Sequence, residues 1–192
     1  MPGGRRAGEE TSQKRFPPRP SDLEDSEYLS RCCSGREGGG AYGKLSSMSV
    51  LAYQVRRIRD AEEMEAALAL RHEVFCVEQG VPEYEELDGR DHEGLHLVAV
   101  AGDELLATCR LLQIGSTVQF SRLAVRADAR RQGIATALLS LADAETRAAG
   151  ARRLVLHAQT YARELYEQAG YRARGRAFIE AGIEHIAMEK LL

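Results

Sequence analysis

The segment from Val118 to Gly150 constrains the fold most, because a strand, a tight turn and a helix follow one another in it directly. Val118 and Phe120 are apolar in one phase of the two-residue repeat of a strand, whereas Leu123 and Val125 are apolar in the other. One extra residue in a strand moves all later side chains to the opposite face, so this change of phase predicts a β-bulge. A strand buried on both faces would show no phase at all, and it is the alternative explanation.

The turn after this strand is rich in arginine and enters the helix at a glycine. It reads Arg130-Arg131-Gln132-Gly133-Ile134-Ala135-Thr136. The first N–H groups of a helix have no partner inside it, and the positive end of the helix dipole lies beside them. Gly133 and Ala135 are small enough for an anionic group to approach the backbone, and Arg130 and Arg131 add positive charge. The turn therefore predicts an anion site, although an ordinary helix entry would use the same residues.

Hydrophobic periodicity places the other elements. A capping box at Asp60 and Glu63 opens a first helix, which ends near Gly80. The residues expected on its buried side are Met64, Ala67, Leu68, Val74 and Phe75. Further helices are predicted over 133–150 and 161–168, and strands over 51–58, 96–101, 104–114, 118–125, 153–158, 171–179 and 183–191. This order predicts an α/β fold with helices on both faces of the sheet.

Residues 1–47 differ from the rest of the chain. They hold four of the five prolines and eight of the eighteen glycines, without apolar periodicity. Such a segment cannot bury enough surface to offset the entropy of ordering it, so we predict a disordered tail. Alternatively, the natural start is Met48 and residues 1–47 are a non-native upstream extension. In both cases the folded domain covers residues 48–192.

Composition excludes several partners. The formal net charge of −3 argues against a nucleic-acid ligand. No apolar run is long enough to span a membrane, and the first residues lack the apolar core of a signal peptide. Cys76 and Cys109 stand in apolar segments without disulfide spacing, which predicts buried thiols in a reducing cytoplasm. We expect a cytoplasmic monomer or homodimer without a membrane partner.

His92 to His96 reads H-E-G-L-H, the motif of zinc proteases. That chemistry needs a helix, which brings residues four apart onto one face. Gly94 interrupts the motif and a strand follows it, and on an extended chain the two histidines would stand roughly 13 Å apart. We predict no metal site.

An acidic segment lies between Glu83 and Glu93, with six acids and one arginine. A run of this kind is usually a solvated loop. The functional alternative is an acidic rim that attracts cationic amines.

Several motifs together resemble the GNAT N-acetyltransferase superfamily. R-x-x-G-x-A at residues 130–135, after Leu-Ala-Val, is similar to its acyl-coenzyme A signature. The segments V-F-C-V-E-Q-G, H-A-Q-T-Y-A-R-E-L-Y-E-Q-A-G-Y and F-I-E-A-G-I-E-H resemble the bacterial ElaA/YjcF-like branch. The resemblance covers residues 50–192 in order. It implies the GNAT acyl-CoA N-acyltransferase fold, a mixed central sheet with helices on both faces.

The resemblance also implies an activity, the transfer of an acetyl group from acetyl-CoA to an amine. The amine of a small molecule or a protein would attack directly in a ternary complex, without a metal. The turn would hold the pyrophosphate, and the bulged strand would pair with the pantetheine arm. The implied donor-binding residues are Leu123, Ala124, Val125, Arg130, Arg131, Gln132, Gly133, Ile134, Ala135, Thr136, Gln159 and Tyr166.

Tyr166 would protonate the departing thiolate, although a tyrosine at this spacing is also an ordinary core residue. The glutamate that many relatives carry on the bulged strand is replaced here by Gln119, Ser121 and Arg122. The catalytic base stays open between Glu78 and His157, with His185 as a further candidate and a water chain to bulk solvent as the alternative to a side chain. The implied acceptor-binding residues are Glu78, Gln79, Glu180 and His185. The missing glutamate leaves a second interpretation, a noncatalytic acyl-CoA sensor or interaction module.

Overall fold

The computed structural model describes residue 16 and residues 52–192. Except for Phe16, which packs against the main core, residues 1–47 lie outside this part, and so does the prediction made for them. The strands are β1 Gln54–Arg57, β2 Leu95–Ala101, β3 Glu104–Ile114, β4 Thr117–Val125, β5 Arg153–Gln159, β6 Arg172–Glu180 and β7 Ile183–Leu191. The helices are α1 Ala61–Arg71, α2 Glu83–Glu86, α3 Ile134–Ala148 and α4 Arg163–Gln168, and a π-helix spans His72–Glu78.

The strands form one mixed sheet in the order β1-β2-β3-β4-β5-β7-β6. Only β4 and β5 run parallel among these neighbours. The larger core cluster joins α3 to one face of the sheet and includes Leu123 and Val125. The smaller cluster joins Leu70 and Val74 to Ala124. Because successive residues of a strand point to opposite faces, the two clusters lie on opposite sides. The predicted α/β fold with helices on both faces is confirmed.

The predicted bulge on β4 is also confirmed. Arg110 pairs with Ser121, and Thr108 pairs with Ala124. Two residues of β4 therefore lie between these pairs, whereas only one residue of β3 does. Arg122 is one of these two residues and has a left-handed backbone, with φ of 58°. The bulge returns Leu123 to the face of the sheet on which Phe120 lies.

The parallel pairing of β4 with β5 is short. It covers only Thr117–Gln119 on β4 and Arg153–Val155 on β5. Beyond Gln119 the bulge redirects β4, and the ladder between the two strands stops. The sheet therefore opens between the carboxyl-terminal ends of two neighbouring strands.

The first helical region differs from its prediction. A single helix was expected as far as Gly80, but α1 gives way to the π-helix after Arg71. The wider turn of a π-helix shifts the residues that follow it around the axis. After Arg71 the buried residue is Val74, and Phe75 is half-buried. In α1, which precedes this shift, the buried residues are Ala67, Leu70 and Arg71, whereas Met64 and Leu68 are half-buried.

The predicted cap of α1 is present in one half. The Asp60 carboxylate accepts a hydrogen bond from the backbone N–H of Glu63 at 2.9 Å. In the other half of a capping box, the Glu63 carboxylate would accept from the N–H of Asp60. It accepts instead from the N–H of Arg59, at 2.8 Å.

The prediction of a solvated loop over residues 83–93 is wrong for Glu86 and Asp91, although residues 83–85 and 87–89 are exposed. The first residues of the segment form α2, and Glu86 is buried. The carboxylate of Asp91 binds Arg71 at 2.6 Å and Arg110 at 2.9 Å, and Arg71 also binds Glu86. The acids fold back because two arginines buried against the sheet need counterions.

The H-E-G-L-H segment is not helical. Residues 91–93 form a 3₁₀ turn, and His96 lies in β2 with its Nε2 atom 2.9 Å from the backbone oxygen of Asp91. Within the described part of the chain, no group of three or more metal-ligating side chains is placed to hold an ion. The described helices also include none that is long and apolar enough to cross a membrane. Cys109 is a buried free thiol as predicted, whereas Cys76 is partly exposed.

Candidate active site

A cavity of about 1070 Å³ opens where β4 and β5 separate. Its wall is built by the end of the π-helix, the bulge of β4, the turn before α3, the end of β5, α4 and the β6–β7 turn. The predicted site residues that line it are Glu78, Gln79, Leu123, Val125, Arg130, Arg131, Gly133, Ile134, Ala135, Thr136, His157, Gln159, Tyr166, Glu180 and His185. The fold thus gathers residues from five separate stretches of sequence around one space.

Two predicted donor-binding residues do not line this cavity. Ala124 is fully buried and packs in the smaller core cluster, on the other face of the sheet. The side chain of Gln132 donates to the backbone oxygen of Asp128 at 3.0 Å. At both positions only the backbone is left to contact a ligand in the cavity.

The turn before α3 leaves the start of the helix open. Gly133 is the N-cap residue with φ of 80°, and no side chain caps the helix there. A side chain at Gly133 would meet only the hydroxyl of Tyr53, at 3.7 Å. Glycine is therefore favoured by its left-handed backbone rather than by a lack of space. The free N–H groups at the start of α3 face the cavity, as an anion site requires.

Arg130 crosses from this turn to the π-helix. Its guanidinium donates to the backbone oxygen of Val125 at 3.0 Å and to the carboxylate of Glu78 at 2.6 Å. Both side chains of the ion pair are partly exposed, 42% for Arg130 and 32% for Glu78. One of the candidate bases, Glu78, is therefore already paired with a predicted donor-binding residue.

A second bridge lies beside the first. The Gln159 amide at the end of β5 donates to the side-chain oxygen of Gln79 at 2.8 Å. The Tyr161 hydroxyl donates in turn to the side-chain oxygen of Gln159. Both bridges start from the carboxyl end of the π-helix, and π-helical turns occur frequently at functional sites.

Tyr166 lies at the floor of the cavity. Its ring is 8% exposed and stands edge-on to Phe120, at 6.4 Å, and to Tyr171, at 5.9 Å. Its hydroxyl has no hydrogen-bond partner among the described residues. Burial raises the pKa of Tyr166, so the phenol stays protonated at neutral pH and is available as a donor.

The far end of the cavity holds two histidines. His157 alternates with the buried residues of β5, and its Nδ1 atom lies 2.9 Å from the Glu180 carboxylate. His185 on β7 stands opposite Gln159, with its Nδ1 atom 2.9 Å from the backbone oxygen of Ile183.

Phe178 separates the two imidazoles. It stands edge-on to His157, with ring centres 4.9 Å apart, and stacks on His185 at 6.2 Å. The sheet order puts β7 between β5 and β6, and the β6–β7 hairpin returns Glu180 over His157. These side chains therefore form one cluster, which the sequence did not predict as a unit.

Arg122 connects the bulge to α2. Its guanidinium donates to the backbone oxygens of Glu86 at 2.9 Å and Glu85 at 3.1 Å, and lies 3.3 Å from the Asp88 carboxylate. The Arg110 guanidinium beside Asp88 holds the pKa of that carboxyl well below its usual range. The cavity wall formed by α2 is thus fixed to β4 by paired charges.

Sequence analysis did not identify this arginine cluster. Two charged residues within apolar segments could have indicated it. Arg71 follows Leu70 among the buried residues of α1, and Arg110 lies in the apolar run of β3. Burial alone would raise the pKa of Asp91, but the hydrogen bonds and charges of both arginines hold it below its usual range. Because the arginines neutralise Glu86, Asp88 and Asp91, less of the predicted acidic rim is left to attract an amine.

Comparison with known proteins agrees with the family that the sequence motifs resemble. Residues 59–192 match the acetyltransferase (GNAT) domain. The N-acetyltransferase YjcF of Bacillus subtilis (strain 168) is 30% identical over 133 residues, which cover 69% of this chain and 95% of YjcF.

Two solved structures match along almost their whole length. Escherichia coli ElaA is 26% identical, with a TM-score of 0.63 over 72% of this chain and 98% of its own. An acyl-CoA N-acyltransferase from Pseudomonas aeruginosa is 29% identical, with a TM-score of 0.63 over 73% of this chain and 99% of its own. The likeness therefore covers almost the full length of both solved proteins.

Proposed function

The chain belongs to the GNAT acetyltransferase family, in its ElaA/YjcF-like branch, and from this we propose that it transfers an acetyl group from acetyl-CoA to an amine. Acyl transfer from an acyl-CoA to an amine is the chemistry of the family. The choice of acetyl-CoA and the direct attack of the amine in a ternary complex are our proposal. The acceptor is an amine of a small molecule or of a protein.

The donor half of the proposal is supported by the open start of α3. Its uncapped N–H groups, the left-handed Gly133 and the nearby Arg130 together fit a pyrophosphate at the cavity wall. Beyond the turn, the separation of β4 from β5 leaves backbone groups of Leu123 and Val125 without a parallel neighbour. A pantetheine arm can occupy this gap as an added strand. The uncapped helix start is the observation that carries the assignment.

The chemistry requires an oxyanion stabiliser and a donor for the leaving sulfur. A backbone N–H at the bulge serves the first need, because the bulge turns it away from the β3 ladder. The protonated phenol of Tyr166 serves the second need. Since its raised pKa lies above that of a thiol, we expect a hydrogen bond to the leaving sulfur to carry most of its effect.

The second candidate function is a noncatalytic acyl-CoA sensor. It is favoured by one observation, the absence of a glutamate from the bulged strand. Both candidates require the donor site, and only the enzyme requires the cluster at its far end. For either function we expect a cytoplasmic protein, as a monomer or as a homodimer paired through β6 at the sheet edge.

Titration calorimetry with acetyl-CoA, followed by thiol release with a panel of primary amines, tests the proposal. We expect saturable binding and amine-dependent release of CoA. A Gly133→Val variant should lose donor affinity, because a β-branched residue disfavours the left-handed backbone that shapes the turn. Gly175→Val is the matched control, since Gly175 also has positive φ but lies in β6, outside the cavity wall. Binding without transfer would favour the sensor, and no binding would refute both functions.

A further inference from the structure

An alkyl amine reaches an enzyme mainly as its ammonium ion. With a pKa of about 10.4, as for lysine, roughly one molecule in 2,500 is neutral at pH 7. Only the neutral form has the lone pair that attacks a thioester. The acceptor side of the cavity therefore needs a group that accepts a proton.

His157 fits this need by its contacts. Its Nδ1 atom is held by the Glu180 carboxylate at 2.9 Å, and its Nε2 atom has no partner among the described residues. A carboxylate on one ring nitrogen fixes the proton there and leaves the other nitrogen with a free lone pair. The side chain is 46% exposed and lines the cavity, so an acceptor can reach it.

Glu180 is the charged partner of His157, because the other charged groups near this histidine are engaged elsewhere. On β7, Glu189 is engaged by Arg174 at 2.7 Å and lies 3.9 Å from Arg153. The nearby His185 is turned to the backbone of its own strand. The other acids that line the cavity are Glu78, which is paired with Arg130, and Glu85, Glu86, Asp88 and Glu164.

The competing base is less suited to the task. The Glu78 carboxylate is already bound to the Arg130 guanidinium, at 2.6 Å. It also lies on the donor side, beside the turn that would hold the pyrophosphate. Proton acceptance by Glu78 would break a contact, whereas proton acceptance by His157 strengthens its contact with Glu180.

We propose that His157, oriented by Glu180, is the general base that deprotonates the acceptor amine, and that Glu180 and the two histidines line the acceptor subsite. This inference rests on the proposed acetyltransferase function. Glu180 is a positioning residue, because it acts through His157. The acceptor class that fits the subsite is a primary alkyl ammonium ion, attracted by the Glu180 carboxylate.

The reaction removes two protons from the ammonium ion and replaces the C–S bond of the thioester by a C–N bond. His157 takes one proton from the ammonium ion at Nε2. The amine nitrogen then attacks the thioester carbon, the C–S bond breaks, and the sulfur leaves with the electron pair and a proton shared from Tyr166. The nitrogen loses its second surplus proton as the amide forms, and this proton restores the phenol. One proton remains on His157 and passes to solvent.

The test uses the full chain with acetyl-CoA and two acceptors, n-butylamine and aniline. Aniline is already neutral at pH 7, so its acetylation needs no base to form the nucleophile. We expect His157→Asn to lower kcat/KM for n-butylamine by about 100-fold near pH 7 and to leave a rate that rises with pH in proportion to the neutral amine. The loss with aniline should be much smaller. Glu180→Gln should give a weaker loss of roughly tenfold, with a pH profile between those of the wild type and His157→Asn.

Matched controls are His72→Asn, at an exposed histidine outside the cavity wall, and Glu184→Gln, on the same hairpin as Glu180 but next to it in the ladder. Both should keep the wild-type profile, and thermal unfolding checks that all variants fold. An unchanged pH profile in His157→Asn, or equal losses with both acceptors, would overturn the assignment of the base alone. A wild-type protein that binds acetyl-CoA but acetylates no amine would overturn the proposed enzyme together with its base.

Discussion

Removal of the Glu78 carboxylate should strengthen donor binding. Glu78 forms an ion pair with Arg130, the arginine that we expect to contact the pyrophosphate. Glu78→Gln keeps the size and polarity of the side chain and removes the competing charge. The free guanidinium then meets the anionic donor without first losing an ion pair.

The size of this effect follows from the exposure of the pair. Its side chains are 42% and 32% exposed, and ion pairs with such access to water contribute about 0.2 to 1 kcal/mol. Since 1.4 kcal/mol corresponds to a tenfold change, the dissociation constant for acetyl-CoA should fall roughly 1.5- to 5-fold. The gain should shrink as salt rises, because the Debye length falls to about 3 Å at 1 M.

Titration calorimetry with acetyl-CoA at low and high salt measures this change. Glu73→Gln is the control, because Glu73 is an exposed acid of the same π-helix and its removal alters the net charge equally. Equal tightening in both variants would mean a general field effect and not release of Arg130. Weaker binding to Glu78→Gln would refute the reasoning. The variant also separates the candidate bases, because kcat with n-butylamine should survive if His157 is the base.

Three further predictions concern the floor of the cavity, the arginine cluster and the cap of α1. Tyr166→Phe should lower kcat about 10- to 100-fold, measured by thiol release, and an unchanged rate across pH would remove Tyr166 from the mechanism. Arg71→Met should lower the free energy of unfolding by about 3 to 5 kcal/mol in urea, because Glu86 stays buried without its main counterion, and Glu86→Gln in the same chain should recover part of the loss. The hydrogen bond from Arg56 lowers the pKa of Glu63 from 4.5 to about 2. Its stabilisation is therefore present above pH 4.5 and lost toward pH 2, and Glu63→Gln should flatten this acid decline in urea titrations.

Local patterns in the sequence predicted the elements that surround the cavity. The change of apolar phase after Phe120 predicted the bulge, and the small residues around Gly133 predicted an open helix start. Both features depend on residues within a few positions of each other. Backbone geometry links such neighbours directly, so they can be inferred without knowledge of the rest of the chain.

The first helix shows where periodicity fails. Its spacing predicted one regular helix to Gly80, but the π-helix after Arg71 changes the angle between successive side chains.

The prediction for the acidic segment fails for another reason. Its charge predicted a solvated loop, whereas buried arginines on α1 and β3 bind its carboxylates. No local pattern of the acids reports cations that lie elsewhere in the chain.

The sequence by itself determined the fold class, the family and the stretch that would hold an acyl-CoA. The tertiary structure alone brought His157 to Glu180 and Glu78 to Arg130. The first contact exists because the sheet order places the β6–β7 hairpin beside β5, and the second because the π-helix ends across the cavity from the turn. Ion pairs between distant residues depend on how elements are placed against one another, and strand and helix periodicities do not encode that placement.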